Sequence, residues 1–345
     1  MLEAVTTLTE VEPPGTVWRD RHPWLRRAAG LAALVGSRQP REVRWFGRYR
    51  PALAAALEQV RADVVLVEHV GLAPLLPRRR QGHWVLTLHN LPSRMAAQQA
   101  EVTPNRPRRW QLRREAAIAA AFERRAAAAF DEVITCTAAD AAALASHRTP
   151  VVVPNGVDLD RFRQAPQVRN PRIVFTGALY TDPNIDGARW FCHEVLPLVR
   201  SQVPDVRLDI VGLRPGREVL ALGSLAGVSV HPDVGDVAPF LEAARVAVVP
   251  LRIGSGSRLK ALEAMAAGRP VVGTSIGMEG LDLEPGLQVL IVDDPAEFAA
   301  ATVSILQDYD LAAGLAAAGR AAVRARFDWA PIAARFADSV VKMAR

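Results

Sequence analysis

Residues 246–281 read VAVVPLRIGSGSRLKALEAMAAGRPVVGTSIGMEGL, and they decide the fold of the chain. Residues 246–250 form a short β-branched run, which is typical of a buried parallel strand. A glycine-containing loop at 254–256 follows, and Ser257 is predicted to cap a helix behind it. Residues 271–274 begin the next strand. A strand, a glycine loop, a helix and a second strand in this order predict an α/β fold built on a parallel sheet.

The glycine loop is predicted to bind an anion, because free backbone N–H groups and the positive end of a helix meet there. Its three residues are Gly254, Ser255 and Gly256. Arg258 and Lys260 place positive charge in the first helical turn, where the helix dipole favours acidic residues, so a negative ligand is expected to neutralise them. Glu263 lies in an apolar run and is suited to accept two hydroxyl groups of a sugar diol.

A surface helix with a Lys260–Glu263 pair, three residues apart, is the alternative interpretation of this segment. The lysine content argues against it. The chain has 42 Lys and Arg residues, and its only lysines are Lys260 and Lys342. A chain that uses arginine almost everywhere has kept a lysine in this loop, which favours the anion-binding interpretation.

The segment that begins PLRIGSGSRLKALEAMAAGRPVV resembles the donor-binding segment of family 4 glycosyltransferases, especially a bacterial subgroup with G-x-R-x-K-x-L-E-A. PNGVD at 154–158 and F-x-W at 327–329 resemble two further motifs of that family. The resemblance implies the GT-B fold, in which two Rossmann-like domains with parallel sheets face a cleft. It also implies transfer of a sugar from a nucleotide-sugar with retention of configuration, with no metal and no cofactor.

The resemblance implies roles for further residues. His89, in TLHN at 87–90, would line the donor sugar, although a histidine after an apolar strand is also common as a structural residue. Asn155 belongs to the PNGVD turn, and a plain turn explains it equally well. Gly177 and Gly277 would let backbone approach the phosphates. Ser255 stands where the family usually has its first donor-site glutamate, so the donor sugar cannot be inferred by analogy.

The same resemblance predicts three parts of the chain: an acceptor-side domain at 1–162, a nucleotide-sugar-binding domain at 170–326, and a final helix at 327–345 that crosses back to the first domain. Before residue 50, only a strand at 6–11 and a helix at 25–35 are predicted. The usual opening strand and its Gly-rich loop are not found, so the first domain is expected to be truncated at its start.

Composition restricts the class of protein. The net charge is +6, with arginine runs concentrated in the first half, and these favour peripheral contact with an anionic membrane. No nucleic-acid-binding module accompanies the charge, so nucleic acid is not expected as a partner. Two distant cysteines, the absence of a signal peptide and the absence of a long apolar run predict a cytoplasmic protein, on the inner face of the membrane if it binds there.

The sequence therefore predicts a hexosyl-type glycosyltransferase of cell-surface polysaccharide synthesis, with a glycan or lipid-linked acceptor. A truncated, non-catalytic remnant that binds a nucleotide or a partner protein is the main alternative. A nucleotide-sugar epimerase shares the sheet architecture, but the R-x-K-x-x-E segment favours a transferase. A NAD-dependent dehydrogenase is disfavoured, because no G-x-G-x-x-G turn follows an opening strand.

Overall fold

The computed structural model of the chain describes residues 50–59, 62–77, 81–144 and 148–343. The strand predicted at 6–11, the helix predicted at 25–35 and the expected truncated start lie outside these residues.

The first domain is built on a parallel sheet of four described strands in the order β1-β2-β3-β4. These strands are β1 Val64–Glu68, β2 His83–Leu88, β3 Glu132–Thr135 and β4 Val151–Val152. The helices are α1 Arg50–Gln59, α2 Pro92–Val102, α3 Arg106–Ala127 and α4 Ala138–Leu144, with a 3₁₀ turn at Val70–Leu75. Helix α2 was not predicted, because its sequence PSRMAAQQAEV carries no apolar period.

The second domain contains a parallel sheet of six described strands in the order β10-β9-β8-β5-β6-β7. The strands are β5 Arg172–Ala178, β6 Arg207–Leu213, β7 Val228–Pro232, β8 Val246–Val249, β9 Val271–Gly273 and β10 Leu290–Ile291. This sheet is surrounded by a large apolar core, in which Phe298 packs edge-on against Trp190 and Phe191 with ring centroids 5.6 and 5.8 Å away.

The helices of the second domain follow the prediction with small changes. They are α5 Asp182–Trp190, α6 Leu196–Gln202, α7 Arg217–Leu222, α8 Ala238–Ala243, α9 Leu259–Ala266, α10 Ser275–Met278, α11 Pro295–Gln307, α12 Tyr309–Arg326 and α13 Trp329–Met343. Helices α5 and α6 follow each other in the chain and are separated by a π-helical turn, Phe191–Val195. Pro197 has no N–H to donate within the helix, which accounts for the interruption.

The start of α9 corrects one prediction. The helix begins at Leu259, two residues after the predicted cap, and Arg258 occupies the N-cap position without a side-chain capping bond. Ser257 does not cap the helix, because its hydroxyl oxygen accepts a hydrogen bond from the Asn155 N–H at 3.2 Å. The loop before the helix is therefore one residue longer than predicted, and it contacts the first domain through Ser257 and Asn155.

The chain passes between the domains at two adjacent places. Val157 forms a parallel bridge with Asp328, supported by bonds from Val157 N–H to the Phe327 carbonyl at 2.8 Å and from Trp329 N–H to the Val157 carbonyl at 3.2 Å. Helix α13 starts at this bridge. The two crossings are therefore held side by side, as a hinge requires.

The linker is attached to the second domain by two buried arginines. Arg269 donates to the carbonyls of Ala165 and Pro166, and Arg245 donates to that of Val168 at 3.0 Å. Both guanidinium groups are almost fully buried, and burial lowers the pKa of Arg269 to about 10. These bonds hold residues 165–168 of the linker against the second domain.

Candidate donor site

A pocket of about 540 Å³ opens where β5, β6 and β8 end, on the side that faces the first domain. Ligands of parallel α/β sheets bind at this edge, beyond the carboxyl ends of the strands. Six of the ten residues predicted from the sequence or its resemblance line this pocket, and all six lie in the second domain: Gly177, Gly254, Ser255, Arg258, Lys260 and Glu263. The first domain contributes Asn90, which follows the predicted His89 in the chain.

Lys260 lines the pocket with its side chain. Its Nζ donates a hydrogen bond to Asn184 Oδ1 and lies 4.3 Å from the centroid of the Phe175 ring. Burial lowers the pKa of Lys260 to about 7, and the nearby charge of Arg258 adds to the effect. The pocket therefore holds an amine whose protonated form a nearby anion would stabilise, with the proton taken from solvent.

Gly177 leaves the space that Lys260 occupies. A Cβ atom at this strand end would lie 2.8 Å from Lys260 Nζ and 2.9 Å from Asn184 Nδ2. Any other residue would push both side chains away from the end of β5. The sequence predicted that Gly177 lets phosphates come close to the backbone. In the structure, the group that comes close to Gly177 is the Lys260 ammonium group.

Glu263 lies one turn further along α9 and also faces the pocket. Burial raises the pKa of Glu263, and the charges of Arg161 and Lys260 oppose this shift. Arg161 comes from the end of the first domain and pairs with Asp236 at 3.1 Å across the mouth of the pocket. The pocket thus offers a carboxylate and an amine on one helix, with an exposed ion pair at its rim.

Arg258 supports the glycine loop from behind. Its side chain is 4% exposed and donates to the carbonyls of Ile276, Ser255 and Gly256 at 2.7–2.9 Å. Its remaining amino group, Nη2, lies 3.6 Å from Glu279. Burial lowers the pKa of Arg258, and the charge of Glu279 opposes this. Most of the hydrogen bonds that Arg258 donates are thus made to backbone carbonyls of the protein itself.

The N–H groups of the glycine loop have partners from the first domain. Gly254 N–H donates to Gln98 Oε1 at 2.7 Å, and Gly256 N–H donates to Asp140 Oδ2 at 2.8 Å. The Ser255 hydroxyl accepts from Leu91 N–H and donates to Asp140 Oδ1, both at 2.7 Å. The loop that was predicted to receive an anion therefore receives a carboxylate of the same chain.

Sequence reasoning missed Asp140, Arg94, Gln98 and Glu279. Arg94 joins two of them, since its guanidinium donates to Asp140 and to Glu279 at 2.6 Å each. A signal for Asp140 was present, because Thr137 and Asp140 form a T-x-x-D helix start directly after β3, at a strand end that faces the cleft. Nothing in the local sequence indicated that its partners lie in the other domain.

His89 lies beside the glycine loop, at the end of β2. Its Nε2 lies 2.5 Å from Glu68 Oε2, its Nδ1 lies 3.9 Å from the Cys136 sulfur, and its ring packs against that of His69 at 5.2 Å between centroids. Gly256 has φ +76°, and a Cβ atom there would collide with the His89 carbonyl oxygen. The structure thus brings His89 and the loop together, with its imidazole held by Glu68.

The two remaining predicted residues have backbone roles in the structure. Asn155 N–H donates to Ser257, and Gly277 N–H donates to Thr274 Oγ1 at 2.8 Å in the first turn of α10. The Asp158-Leu159-Asp160 sequence forms a turn, in which Asp158 Oδ1 accepts from the N–H groups of Asp160 and Arg161. Within the described residues, no group of three or more His, Cys, Asp or Glu side chains is arranged to hold a metal ion.

Two family models match the chain. Residues 170–308 match the model described as "Glycosyl transferases group 1", and residues 16–161 match the model described as "Glycosyltransferase Family 4". The phosphatidyl-myo-inositol mannosyltransferase of Mycolicibacterium smegmatis is 32% identical over 195 residues, which cover 54% of this chain and 50% of that protein. The chain spans about half, or less, of the length of the curated relatives it matches.

Solved structures share the architecture at low sequence identity. Sucrose-phosphate synthase from Thermosynechococcus elongatus superposes with a TM-score of 0.71 at 21% identity, covering 88% of this chain and 79% of that one. Anabaena HepE in complex with UDP and glucose superposes with a TM-score of 0.64 at 14% identity, covering 85% and 81%. The predicted fold of two facing parallel sheets is thereby confirmed. Residues 16–161 and 170–308 thus resemble two glycosyltransferase family models, and the shared architecture shows the GT-B fold.

Proposed function

We propose that the chain transfers a hexose from a nucleotide-sugar to a glycan or lipid-linked acceptor, with retention of configuration and without a metal or cofactor. The observation that carries this proposal is the pocket at the carboxyl ends of the second sheet. It joins a lysine whose protonated form an anion would stabilise, a half-buried carboxylate and a strand-end glycine within one cavity.

The donor would lie with its diphosphate against Lys260 and the start of α9. A diphosphate satisfies the ammonium group and the free N–H groups of the helix end together. Glu263, four to five Å further along the helix axis by the rise of about 1.5 Å per residue, would accept the two ribose hydroxyls. Gly212 and residues 234–237 form the wall on the nucleoside side.

Catalysis would depend on stabilising the leaving diphosphate. When the bond between the anomeric carbon and the diphosphate oxygen breaks, its electron pair goes to that oxygen, and negative charge grows beside Lys260. The acceptor hydroxyl would attack from the same face and give its proton to the departing phosphate, which the retention inferred from the resemblance requires. His89 would contact the sugar from the first domain, with Glu68 holding its imidazole.

The relatives support this class of ligand. HepE was solved with UDP and glucose, and the Mycolicibacterium smegmatis relative is named for the transfer of mannose to phosphatidyl-myo-inositol. We take from them a nucleoside diphosphate sugar as donor and a glycan or lipid-linked molecule as acceptor. Synthesis of a cell-surface polysaccharide or glycolipid is the process that such a transfer would serve.

We further propose peripheral contact with an anionic membrane through helix α3. Arg106, Trp110 and Arg113 lie along one exposed stripe of this helix, and the Trp110 side chain is 62% exposed. An exposed tryptophan flanked by arginines suits the headgroup region of an anionic bilayer. Among the described residues, no helix has the length and hydropathy needed to cross a bilayer. The membrane face concerned would be the cytoplasmic one, where nucleotide-sugars are made.

Calorimetric titration of the full chain with UDP, GDP and ADP tests the donor site. Binding of one nucleotide, weakened at least tenfold by Lys260→Met and by Glu263→Gln, supports the proposal. The matched control is Lys342→Met, which removes the only other lysine and leaves the pocket unchanged. Absence of binding by all three nucleotides at millimolar concentration would refute the proposed donor site.

Transfer is tested with the nucleotide-sugars of the nucleotide that binds. Radiolabelled donor would be supplied with glycan and lipid acceptors, and the anomeric configuration of any product would be read by NMR. A product with inverted configuration would contradict the proposed mechanism. Sedimentation with vesicles of phosphatidylglycerol, compared with phosphatidylcholine and with Trp110→Ala, tests the membrane contact.

A further inference from the structure

Five hydrogen bonds between the two domains converge on the glycine loop and its neighbour Glu279. Four involve the loop, and in three of these Leu91 N–H donates to the Ser255 hydroxyl, Gly254 N–H donates to Gln98, and Gly256 N–H donates to Asp140. The fourth joins the Ser255 hydroxyl to Asp140, and the fifth joins Arg94 to Glu279. All five have donor–acceptor distances of 2.6–2.8 Å.

Asp140 is the centre of this group. Its side chain is fully buried, and its two oxygens accept hydrogen bonds from Arg94, Ser255, Gly256 and Thr137. Burial alone would raise the pKa of Asp140, but the hydrogen bonds from Arg94, Ser255 and Gly256 hold it below its ordinary value. A buried carboxylate is stable only when it is paired in this way, so opening the cleft would leave both Asp140 and Arg94 with unsatisfied groups.

We propose that Asp140 is a positioning residue, which holds the glycine loop of the donor site and locks the cleft in its closed arrangement. Its two oxygens determine where Ser255 and Gly256 lie, and Arg258 holds the carbonyls of the same two residues from the other side. The shape of the loop at the pocket is therefore set by the first domain as well as by the second.

The hinge and this lock lie at different places along the cleft. We take the crossings at Val157 and Asp328, which a backbone bridge joins, as the hinge; the linker beyond them is attached to the second domain. Breaking the bonds at Asp140 would let the domains separate about the hinge and would free the loop at the same time. Opening of the cleft and release of the loop would thus occur together, so that movement of the domains is coupled to the shape of the donor pocket.

The test uses the full chain without ligand, and compares Asp140→Asn with a matched control. The control is Asp186→Asn, which breaks a two-bond pair with Arg252 inside the second domain. Asp140→Asn should speed hydrogen exchange at the Gly256 amide by about tenfold or more, because a charge-assisted acceptor is lost. It should also increase the radius of gyration in X-ray scattering. Asp186→Asn should change neither quantity.

Ser255→Ala is the milder second variant, in case Asp140→Asn does not fold. It removes one contact of Asp140 and keeps those with Gly256 and Arg94, so it should give a smaller increase in Gly256 exchange. Unchanged exchange and scattering in every folded variant would overturn the proposal. These measurements need no activity, so a chain that binds no nucleotide would refute the proposed function and leave this test intact.

A second readout separates positioning from general loss of structure, and rests on the proposed function. In Asp140→Asn, the Kd of the nucleotide should stay within about threefold, while kcat for transfer should fall about tenfold or more, because binding uses the second domain and chemistry needs the closed cleft. An equal loss of nucleotide affinity and of kcat would contradict a positioning role.

Discussion

Proton uptake should accompany nucleotide binding, because Lys260 is the group that a diphosphate would charge. In the free protein, burial and the nearby Arg258 lower the pKa of Lys260 to about 7. A diphosphate beside the ammonium group favours its charged form and should return the pKa towards the ordinary value of about 10.4. The amine is about half protonated at pH 7 and about one-tenth protonated at pH 8 before binding.

The expected magnitudes follow from this difference. Binding should take up about 0.5 proton at pH 7 and about 0.9 at pH 8. Above pH 7, the Kd of the nucleotide should rise about tenfold for each pH unit, until the pKa of the bound state is approached. The terminal phosphate has a pKa of about 6, so its own ionisation contributes little in this range.

Calorimetry in buffers with different ionisation enthalpies measures the uptake directly. The slope of the observed enthalpy against the buffer enthalpy equals the number of protons taken up. Lys260→Met should remove both the slope and the pH dependence, and Lys342→Met should keep both. A wild-type slope near zero at pH 8, together with a Kd that does not change between pH 7 and pH 9, would refute the assignment of Lys260 as the diphosphate contact.

Four further outcomes are expected. Gly177→Ala should weaken nucleotide binding about tenfold, since its Cβ would stand 2.8 Å from Lys260 Nζ; calorimetry measures this, and unchanged affinity would contradict the close fit. Glu263→Gln should weaken UDP or GDP binding about tenfold and leave inorganic pyrophosphate binding unchanged, since pyrophosphate has no ribose; an equal loss for both ligands would contradict a ribose contact. The Cys136 and Cys192 thiols are buried, which raises their pKa to about 11 and about 12, so neither should react with a thiol reagent at pH 8 until the protein unfolds; rapid labelling of native protein would contradict their burial. Folding lowers the pKa of Lys260, so between pH 7 and about 10.4 the unfolded chain binds a proton that the folded chain does not. The free energy of unfolding should therefore rise with pH in this window, relative to that of Lys260→Met. Urea denaturation measures it, and equal pH dependence in the two proteins would contradict the lowered pKa.

The second domain was largely predictable because its signals are local. Each strand is a short β-branched run, and the helix that carries Lys260 and Glu263 directly follows a strand and a glycine loop. A strand of this kind can only be buried in a parallel sheet, and the loop behind it must then lie at the carboxyl edge. The two side chains share one face, because three residues separate them.

The helix break at Pro197 and helix α2 were harder to predict. Apolar residues recur at helical spacing through residues 184–199. The single proline in this segment, Pro197, changes the local hydrogen-bond pattern to a π-helical turn, but the chain stays helical on both sides of it. Helix α2 has few apolar residues, since it packs mainly against α3 and carries Arg94 and Gln98 to the cleft. Its helical state is a consequence of tertiary packing, which local propensity does not report.

The sequence by itself determined the parallel sheets, the glycine loop and the presence of a lysine and a glutamate beside it, because these depend on residues within one strand–loop–helix unit. Only the tertiary structure decided what surrounds them. The bonds from Asp140 to Ser255 and Gly256 join residues 115 and 116 positions apart, and those from Arg94 to Glu279 join residues 185 positions apart. Contacts at such separations arise from the docking of two domains. Burial within the folded protein also places Arg258 against backbone carbonyls and lowers the pKa of Lys260, and no local pattern of residues encodes either effect.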